Sequence, residues 1–505
     1  MIAVSDKWKD IQQRFLLPET YIEIDCAITD DAAQENASGS GVNEEIFSNI
    51  ASTLDHDENV AKYVTNELNL WVLDGTQTIL PDAAPYEAAG YVSNTESTGG
   101  VTLSFSEPQE TAAAGVTITW GSKYEEFSST FTVKAKNGSE VVAETTVTNN
   151  AERTSIVSLR IENYDSIEIT VHDWCLPHRR VRIEKISIGQ VLTLTKNDIF
   201  SFTHEMHGDI LSGELPKYSI EFTMDNSDGR WDPNNPKGIE QYLAERQRLA
   251  VRYGLDVNGV IEWIDAGTFY LSEWNIPSNG MEARFVARDV FEFLLNVEMK
   301  GTRLDSLKGL IETAIRYSLP QSATVVIDSS LASYTKIVDD GNNTAAEIVQ
   351  KCANAGVCIL RYDRGGTLYI EPLDKTPTEY RITQALSYSY PEITLSKPLK
   401  MVSVDYGGAT PYELTVSSDG ENQTVNNDFI NQEQQAAKVA QMVSDVLKTR
   451  QTVRGEFRAD PRLDLYDIVT VESKYGVLSP VVITNLKYTF NGSFRGSYEG
   501  RVLEG

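Results

Sequence analysis

Histidine and cysteine lie three residues apart at one place in the sequence, His172-Asp-Trp-Cys175, and His178 follows shortly after. Imidazole and thiolate groups at such spacing could share a zinc ion. The stretch continues a predicted strand into a proline turn, however, and residues three apart on a strand point to opposite faces. A structural zinc site takes four ligands, and only three are present here. The pattern therefore favours an ordinary strand end.

Two further patterns suggest a metal. His204 and His207 lack the His-Glu-x-x-His spacing that a zinc-binding helix needs. The loop 225–236 is rich in carboxylates and amides, as calcium loops are, but with Gly229 at the glycine position the first ligand position falls on Met224. An Asx-rich turn is the favoured interpretation, with a generic hard-cation site as the minor alternative. The sequence predicts no metal ligand and no cofactor.

Catalytic signatures are missing as well. There is no Gly-x-Ser-x-Gly elbow, no phosphate-binding glycine loop followed by Lys-Ser/Thr, and no local Cys-His signature. With 73 Asp and Glu residues, any pair of carboxylates chosen from the sequence alone is meaningless without geometry. The sequence predicts no catalytic residue, and we expect a protein that is not an enzyme.

The charge total restricts the class of partner. The 505 residues include 44 Lys and Arg against 73 Asp and Glu, a net charge of −29. Such a surface repels phosphate backbones, which argues against DNA binding and permits non-adhesive DNA passage. No apolar run reaches the ~18 residues of a membrane span, and no secretory signal is visible. Four scattered cysteines are too few for a disulfide framework, so we expect a soluble protein made in a reducing cytosol.

Residues 80–189 are dense in short alternating runs of Thr, Val and Ser separated by turns such as Asn137-Gly138. That spacing predicts an all-β sandwich, most simply a jelly roll. Aromatic rings near Asp and Asn side chains are what sugar recognition uses, and core packing is the alternative role for each ring. The candidate glycan contacts are Trp71, Tyr91, Trp120 and Tyr124.

The later elements are more varied. Strands with larger apolar residues over 190–296 predict a second β-domain. Helical spacing after Arg303, and a capping box at Thr344-Ala-Ala-Glu347 followed by a hairpin, predict a small α+β domain. A long helix over 432–449 carries one apolar stripe that could cover the strands after it.

The last part of the chain, Phe457–Gly505, predicts an antiparallel barrel or meander. A Pro/Asp turn precedes two alternating runs, and Asn491-Gly492 between apolar residues is the strongest short hairpin signal available. The fold class is therefore mainly β and multidomain, α+β overall. Length alone suggests about three to five domains.

The helix over 432–449, the turn Arg458-Ala-Asp-Pro-Arg-Leu-Asp-Leu-Tyr-Asp-Ile-Val469 and the strand pair after it resemble the closing β-domain of phage tail hub proteins. Tyr466 stands where those proteins more commonly have glycine. Ser219–Pro236 is similar to the first barrel of tail tip proteins from phages of Gram-positive bacteria. Residues 70–75, 90–93 and 115–119 resemble the galactose-binding-like jelly roll inserted in some of them.

The resemblance implies two hub-type β-barrels, the first of them split by the jelly roll. It assigns 1–79 to the N-terminal part of the first barrel, 80–189 to the inserted jelly roll and 190–300 to the remainder of that barrel. Residues 301–394 become the small α+β domain, and 395–505 the long helix with the C-terminal barrel. Each of these boundaries is a prediction.

The resemblance also implies a function, that of a virion structural protein synthesised in the host cytoplasm. As a homotrimeric hub at the tail tip it would cap the tail tube, adapt its symmetry and open for DNA passage. Its partners would be the tail tube, distal tail and tape measure proteins, with a host cell-wall glycan at the jelly roll.

Three alternatives remain. The first is a hexameric distal tail protein with a carbohydrate-binding insertion, although the α+β domain and the late helix favour the hub. The second is a tail-associated cell-wall hydrolase, for which no appended catalytic domain is visible. The third is a free carbohydrate-binding adhesin that uses the jelly roll alone.

Overall fold

The computed structural model describes residues 1–14, 19–46, 48–54, 90–109, 111–121, 126–232, 234–235, 238–239, 242–243, 245–278, 280–319, 323–408 and 410–503. Two predicted glycan contacts, Trp71 and Tyr124, lie outside these ranges. No helix in the described part of the chain is both long and apolar enough to cross a membrane.

Helices are few in the described residues. The α-helices are α1 (Asp6–Gln12), α2 (Asp31–Asn36), α3 (Leu307–Ser318), α4 (Ala345–Ala355) and α5 (Glu433–Leu447). Short 3₁₀ helices cover Ile50–Leu54, Val290–Phe293 and Ser329–Ser333.

Strands dominate, which confirms the mainly β fold class. Those of the first part are β1 (Thr20–Thr29), β2 (Ser38–Val42), β3 (Tyr91–Glu96), β4 (Gly99–Gln109), β5 (Ala113–Trp120), β6 (Ser128–Asn137), β7 (Glu140–Thr148), β8 (Thr154–Ile161), β9 (Tyr164–Trp174) and β10 (Arg180–Thr195). The middle strands are β11 (Ile199–His207), β12 (Lys217–Asp225), β13 (Arg248–Val257), β14 (Val260–Asn275), β15 (Glu282–Arg288), β16 (Arg303–Asp305), β17 (Thr324–Ile327), β18 (Ile337–Asp339), β19 (Ile359–Tyr362) and β20 (Thr367–Glu371). The last are β21 (Arg381–Ile382), β22 (Glu392–Leu395), β23 (Leu399–Asp405), β24 (Tyr412–Thr415), β25 (Glu421–Asn426), β26 (Gln451–Phe457), β27 (Ile468–Glu472), β28 (Leu478–Phe490) and β29 (Phe494–Val502).

The chain forms two compact units. One contains Met1–Ile24, Leu194–Gly229 and Arg248–Gly505, and we call it the main unit. The other contains Asp25–Thr193 and Arg230–Gln247, and we call it the sandwich unit. The chain passes between the units four times: within β1, near the end of β10, after Gly229 and before Arg248.

The sandwich unit has two sheets that share one core. One sheet has the order β2-β4-β9-β6-β7, and the other includes β10, β5 and β8, with β3 beside β10. Buried side chains such as Val101 and Phe131 from the first sheet meet Ile118 and Ile186 from the second. A β-sandwich was predicted here, and its jelly-roll topology remains a prediction. The sequence analysis placed residues 38–42 in the first barrel, but they pair with β4 of the sandwich.

A long antiparallel sheet organises the main unit, in the order β22-β26-β29-β28-β11-β12-β15-β14-β13 and then the first half of β1. Its central joint is the ladder between β11 and β28, where Phe202 to His207 face Phe490 to Asn485 in register. Strands from the predicted first and second barrels therefore belong to one continuous sheet.

The predicted α+β segment is present in the main unit. Helix α4 begins with the predicted capping box, because Thr344 Oγ1 accepts from Glu347 N at 3.2 Å and Glu347 Oε2 accepts from Thr344 N at 2.7 Å. The helix ends at Gly356. Strands β17, β20 and β19 form a small sheet, and the β19–β20 connection is the predicted turn at Asp363 to Gly366.

The long helix α5 packs differently from the prediction. We expected it to cover the closing strands, whereas its principal contacts are with β23, β24 and α4. Gln435 on its buried face donates from Nε2 to the carbonyl of Ala355 at the end of α4, at 3.0 Å. The apolar stripe of α5 packs against the small sheet β24-β23-β25, a sheet that was not predicted from the sequence.

Candidate assembly site

The turn between β26 and β27, Arg458–Asp467, connects several distant parts of the main unit, and we call it the closing turn. Asp460 and Arg462 form an ion pair within it, with Nε at 2.9 Å and Nη2 at 2.5 Å from the carboxylate. Both side chains are nearly fully buried. The hydroxyl of Tyr488 on β28 lies 2.8 Å from the carbonyl of Asp460 and 3.1 Å from that of Leu463. The turn is thereby fixed to the central sheet.

Tyr466 in the closing turn has a φ of 66°. This left-handed conformation is uncommon for a bulky residue, which explains why glycine is commoner at this position in the proteins that the turn resembles. A Cβ added to Gly208 would lie only 2.3 Å from the hydroxyl oxygen of Tyr466. The buried tyrosine thus occupies space that a glycine after β11 leaves open.

The N-terminal segment 1–14 is folded onto the main unit. Ile2 N donates to the carbonyl of Arg462 at 2.9 Å, and the Met1 amine lies 2.6 Å from the Asp467 carboxylate. Helix α1 buries Trp8 and Ile11 against apolar side chains of β13 and β14. The carbonyls of Gln12, its last residue, and of Arg14 accept from the Arg458 guanidinium. The closing turn therefore holds both ends of this segment.

Arg364 brings the α+β segment to the same turn. It sits in the β19–β20 connection, and its guanidinium donates to the carbonyl of Pro461 at 2.5 Å and to that of Leu463. The carboxylate of Asp464 lies 3.8 Å from its Nε. Arg364 is almost completely buried, so this contact is a structural joint and not a surface ion pair. Sequence reasoning predicted the turn at 363–366 but had no signal for the destination of its arginine.

His204 lies fully buried beside this joint. Its Nδ1 is 2.8 Å from the hydroxyl of Tyr253, and its ring meets Phe269 edge to face at 5.1 Å. Burial lowers the pKa of His204 well below its ordinary value, and the positive charge of Arg364 lowers it further. His207 instead bonds to the side chain of Asn485. The two imidazoles have separate partners, as residues three apart on a strand should.

The other histidine and cysteine candidates also have separate partners. His172 Nε2 lies 2.8 Å from Thr132 Oγ1, and His178 Nδ1 lies 3.1 Å from Glu96. Cys175 Sγ accepts from the amide of Phe127 at 3.3 Å. Among the residues that the structure describes, no group of His, Cys, Asp or Glu could hold a metal ion.

Two of the predicted glycan contacts are core residues. Tyr91 and Trp120 are both fully buried. The Tyr91 hydroxyl donates to the carbonyl of Val42, and Trp120 Nε1 donates to Ser155 Oγ at 2.8 Å. Neither ring presents a face to a ligand, so the expectation of a sugar contact is corrected at these two positions. Sugar binding by the sandwich itself stays a prediction.

The terminal strand of the main sheet exposes apolar side chains. We call residues 388–397, which run along β26, the edge segment. Its backbone is held by Tyr388 N to the carbonyl of Glu456 at 3.0 Å and by Ser396 N to that of Arg450 at 2.8 Å. Four large side chains are half exposed or more: Tyr388 55%, Tyr390 55%, Ile393 50% and Leu395 60%. Exposed apolar edges of this kind are typical of sites where another strand pairs.

The core face of the sheet continues into this edge. Ile393 lies directly opposite Val453 of β26, which is only 3% exposed. The row of apolar side chains therefore extends one strand beyond what this chain covers. Alternation over β22 is visible in the sequence, but only the structure shows that nothing in the described residues pairs with its outer edge.

The opposite face of the edge is polar. Tyr390 and Glu392 line an open groove of about 760 Å³ together with Arg454, whose Nε donates to Glu499 at 2.9 Å. Two exposed cations lie over tyrosine rings of the edge, Lys474 at 5.8 Å from Tyr390 and Arg495 at 5.7 Å from Tyr388. Neither makes an ion pair with any described residue.

No family model matches the chain, and no curated protein matches it. Among solved structures, it is similar to a 43 kDa tail protein of prophage MuSo2 from Shewanella oneidensis, with 13% identity, a TM-score of 0.45, and coverage of 62% of this chain and 95% of that one. It is also similar to a tail protein from Neisseria meningitidis MC58, with 12% identity, a TM-score of 0.46, and coverage of 62% of this chain and 93% of that one. A third similar structure is prophage tail protein gp18 from Listeria monocytogenes EGD-e, with 11% identity, a TM-score of 0.42, and coverage of 62% of this chain and 91% of that one.

Proposed function

We propose that the protein is a structural component of a phage tail, the hub at the distal end of the tail tube. The observation that carries the proposal is the ladder between β11 and β28, which joins strands almost 300 residues apart into one sheet. The closing turn adds the N-terminal segment and the α+β segment to that sheet through Arg458 and Arg364. A part that caps a tube must hold its β-units in fixed register, and this arrangement does so.

Assembly into a ring of subunits is the second element of the proposal. A terminal strand with an uncovered apolar face is suited to contact with another protein subunit. In a hub with three copies, the neighbouring components are the tail tube, distal tail and tape measure proteins. The net charge of −29 favours unimpeded DNA passage, because phosphate groups are repelled. The sandwich unit is the part that would contact a host-surface glycan.

The number of copies is the deciding measurement. Native mass spectrometry and negative-stain imaging of the purified full chain, alone and mixed with its tail tube protein, should give a complex with three copies of this chain. A stable sixfold ring would contradict the hub and support the distal tail alternative. A chain that digests purified cell-wall polymer in a zymogram would contradict a purely structural role.

A further inference from the structure

Asn-Gly pairs occupy three hairpin turns in the described part of the chain, Asn137-Gly138, Asn258-Gly259 and Asn491-Gly492. A fourth pair, Asn279-Gly280, includes a residue outside the described ranges. In this dipeptide the glycine nitrogen can attack the side-chain carbonyl carbon of the asparagine, because glycine has no Cβ to hinder the approach. The reaction converts the side-chain amide into a carboxylate. Each pair is therefore a candidate site of spontaneous covalent modification.

Hydrogen bonds to carboxylates restrain two of the three pairs. The amide of Gly138 donates to Asp165 Oδ2 at 2.6 Å. The amide of Gly259 donates to Asp256 Oδ1 at 2.6 Å. A glycine nitrogen bonded in this way must give up a charge-assisted hydrogen bond before it can attack the neighbouring side chain. We therefore expect both pairs to react slowly in the folded protein.

The pair Asn491-Gly492 has no such restraint. Neither the side chain of Asn491 nor the amide of Gly492 has a hydrogen-bond partner among the residues that the structure describes. Both residues are exposed, in the short loop that connects Phe490 to Phe494. A Cβ added to Gly492 would meet no atom within 4 Å. Solvent therefore reaches the glycine amide, and the asparagine side chain has room to rotate toward it.

We propose that Asn491 is a site of spontaneous deamidation and the most reactive of the three described Asn-Gly pairs. The nitrogen of Gly492 loses its proton to solvent and forms a bond to Cγ of Asn491. The Cγ–Nδ2 bond then breaks, and the amide leaves as ammonia after it takes up a proton from solvent. One water molecule opens the resulting succinimide ring at either carbonyl. The products are an aspartyl and an isoaspartyl residue at position 491, and the overall reaction consumes only water.

The modified loop lies at the end of the central ladder. Phe490, the residue before the site, lies opposite Phe202 of β11, and its ring centroid is 5.0 Å from that of Phe494. Both products add a negative charge to the loop, and the isoaspartyl form also adds a backbone carbon between β28 and β29. The reaction therefore changes the connection between two strands of the main sheet without touching a residue of either strand. It does not depend on what the protein assembles with.

The test is peptide mapping by mass spectrometry on the full-length chain, incubated at neutral and at mildly alkaline pH. Trypsin releases residues 488–495 as one peptide, in which Asn491 is the only asparagine. Its aspartyl and isoaspartyl forms should accumulate about tenfold faster than the products at Asn137 and Asn258, since those pairs must first break a hydrogen bond to a carboxylate. The rate should rise with pH, because the attacking nitrogen must lose a proton.

Controls separate the effect of the fold from that of the dipeptide. In the chain unfolded in urea, all three pairs should react at similar rates, because their hydrogen bonds are lost. Asp256→Ala should raise the rate at Asn258 severalfold in the folded chain, since it frees the amide of Gly259. Asp256→Asn retains the acceptor oxygen and should leave that rate unchanged. The rate at Asn137 should be the same in both variants, which shows that they remain folded.

Each result decides the proposal. Faster reaction at Asn491 than at Asn137 and Asn258, with both isomers formed, supports it. Equal rates at the three pairs in the folded chain would overturn it. A product at Asn491 that contains no isoaspartyl isomer would overturn the succinimide route, since direct hydrolysis of the amide gives the aspartyl form alone. An unchanged rate at Asn258 in the Asp256→Ala variant would overturn the role given to the hydrogen bond of the glycine amide.

Discussion

The guanidinium of Arg364 donates a hydrogen bond of 2.5 Å to the main-chain carbonyl of Pro461, 97 residues further along the chain. A second donor of the same group reaches the carbonyl of Leu463. One side chain thus donates to two buried acceptors of the closing turn, and this contact joins the α+β segment to the central sheet. Because buried acceptors without donors are costly, the joint depends on this residue.

Replacement of Arg364 by methionine should therefore destabilise the main unit by about 2–4 kcal/mol, because the buried carbonyl of Pro461 loses its donor and that of Leu463 keeps only the shared hydroxyl of Tyr488. Thermal unfolding followed by differential scanning calorimetry checks this. Arg316→Met is the matched control, since Arg316 is exposed on α3 and should change stability by less than about 0.5 kcal/mol. Equal effects of the two substitutions would show that the joint contributes nothing specific.

His204 predicts a pH dependence with a definite sign. Its pKa in the folded protein lies well below 6.5, chiefly because of burial, so the unfolded chain binds its proton more readily. The stability that His204 contributes is full above pH 6.5 and declines as the pH falls toward the folded pKa, by about 1.4 kcal/mol per pH unit at most.

His204→Gln should reduce the loss of stability as the pH falls from 6.5, because glutamine does not titrate in this range. Its side-chain amide can still form a hydrogen bond with the hydroxyl of Tyr253. Urea unfolding between pH 8 and pH 5 measures the slope, and the difference between parent and variant isolates this side chain from the other titrating groups. If the free energy of unfolding fell equally steeply with decreasing pH in both proteins, His204 would not be a source of the pH dependence.

Tyr466 sets backbone strain against side-chain burial. Glycine would relieve the positive φ of 66°, a gain of about 1 kcal/mol. It would also remove a buried aromatic ring, at a cost of about 3–5 kcal/mol. Tyr466→Gly should therefore destabilise by about 2–4 kcal/mol, whereas Tyr466→Phe should change little because the hydroxyl has no hydrogen-bond partner in the described structure. A stabilised glycine variant in thermal unfolding would mean that strain dominates.

Local signals predicted local structure well. The capping box at Thr344 and Glu347 begins α4 as expected, and Asn491-Gly492 lies in a short hairpin loop between Phe490 and Phe494. These features depend on neighbours in sequence, whose preferences are read directly.

Contacts between distant segments were not predictable in the same way. Nothing in the run around Phe202 identifies Phe490 as its partner, since many strands share the same alternation. The stripe on α5 predicted a buried face but did not say which sheet would bury it. Arg364 and the edge segment required the whole fold, because burial and exposure are properties of the packed chain and not of the residue type.

The burial of Trp120 makes a last prediction, about the sandwich unit. The ring packs edge to face on Phe131 at 5.0 Å and on Trp174 at 5.9 Å. Trp120→Ala should therefore destabilise this unit by about 3–5 kcal/mol, since it leaves a cavity at the centre of the core. Leu176→Ala, at an exposed position of the same unit, should have a small effect. If the sandwich binds a wall polysaccharide, Trp120→Ala should lose binding only as it unfolds, and loss of binding with an unchanged melting temperature would restore Trp120 as a direct sugar contact.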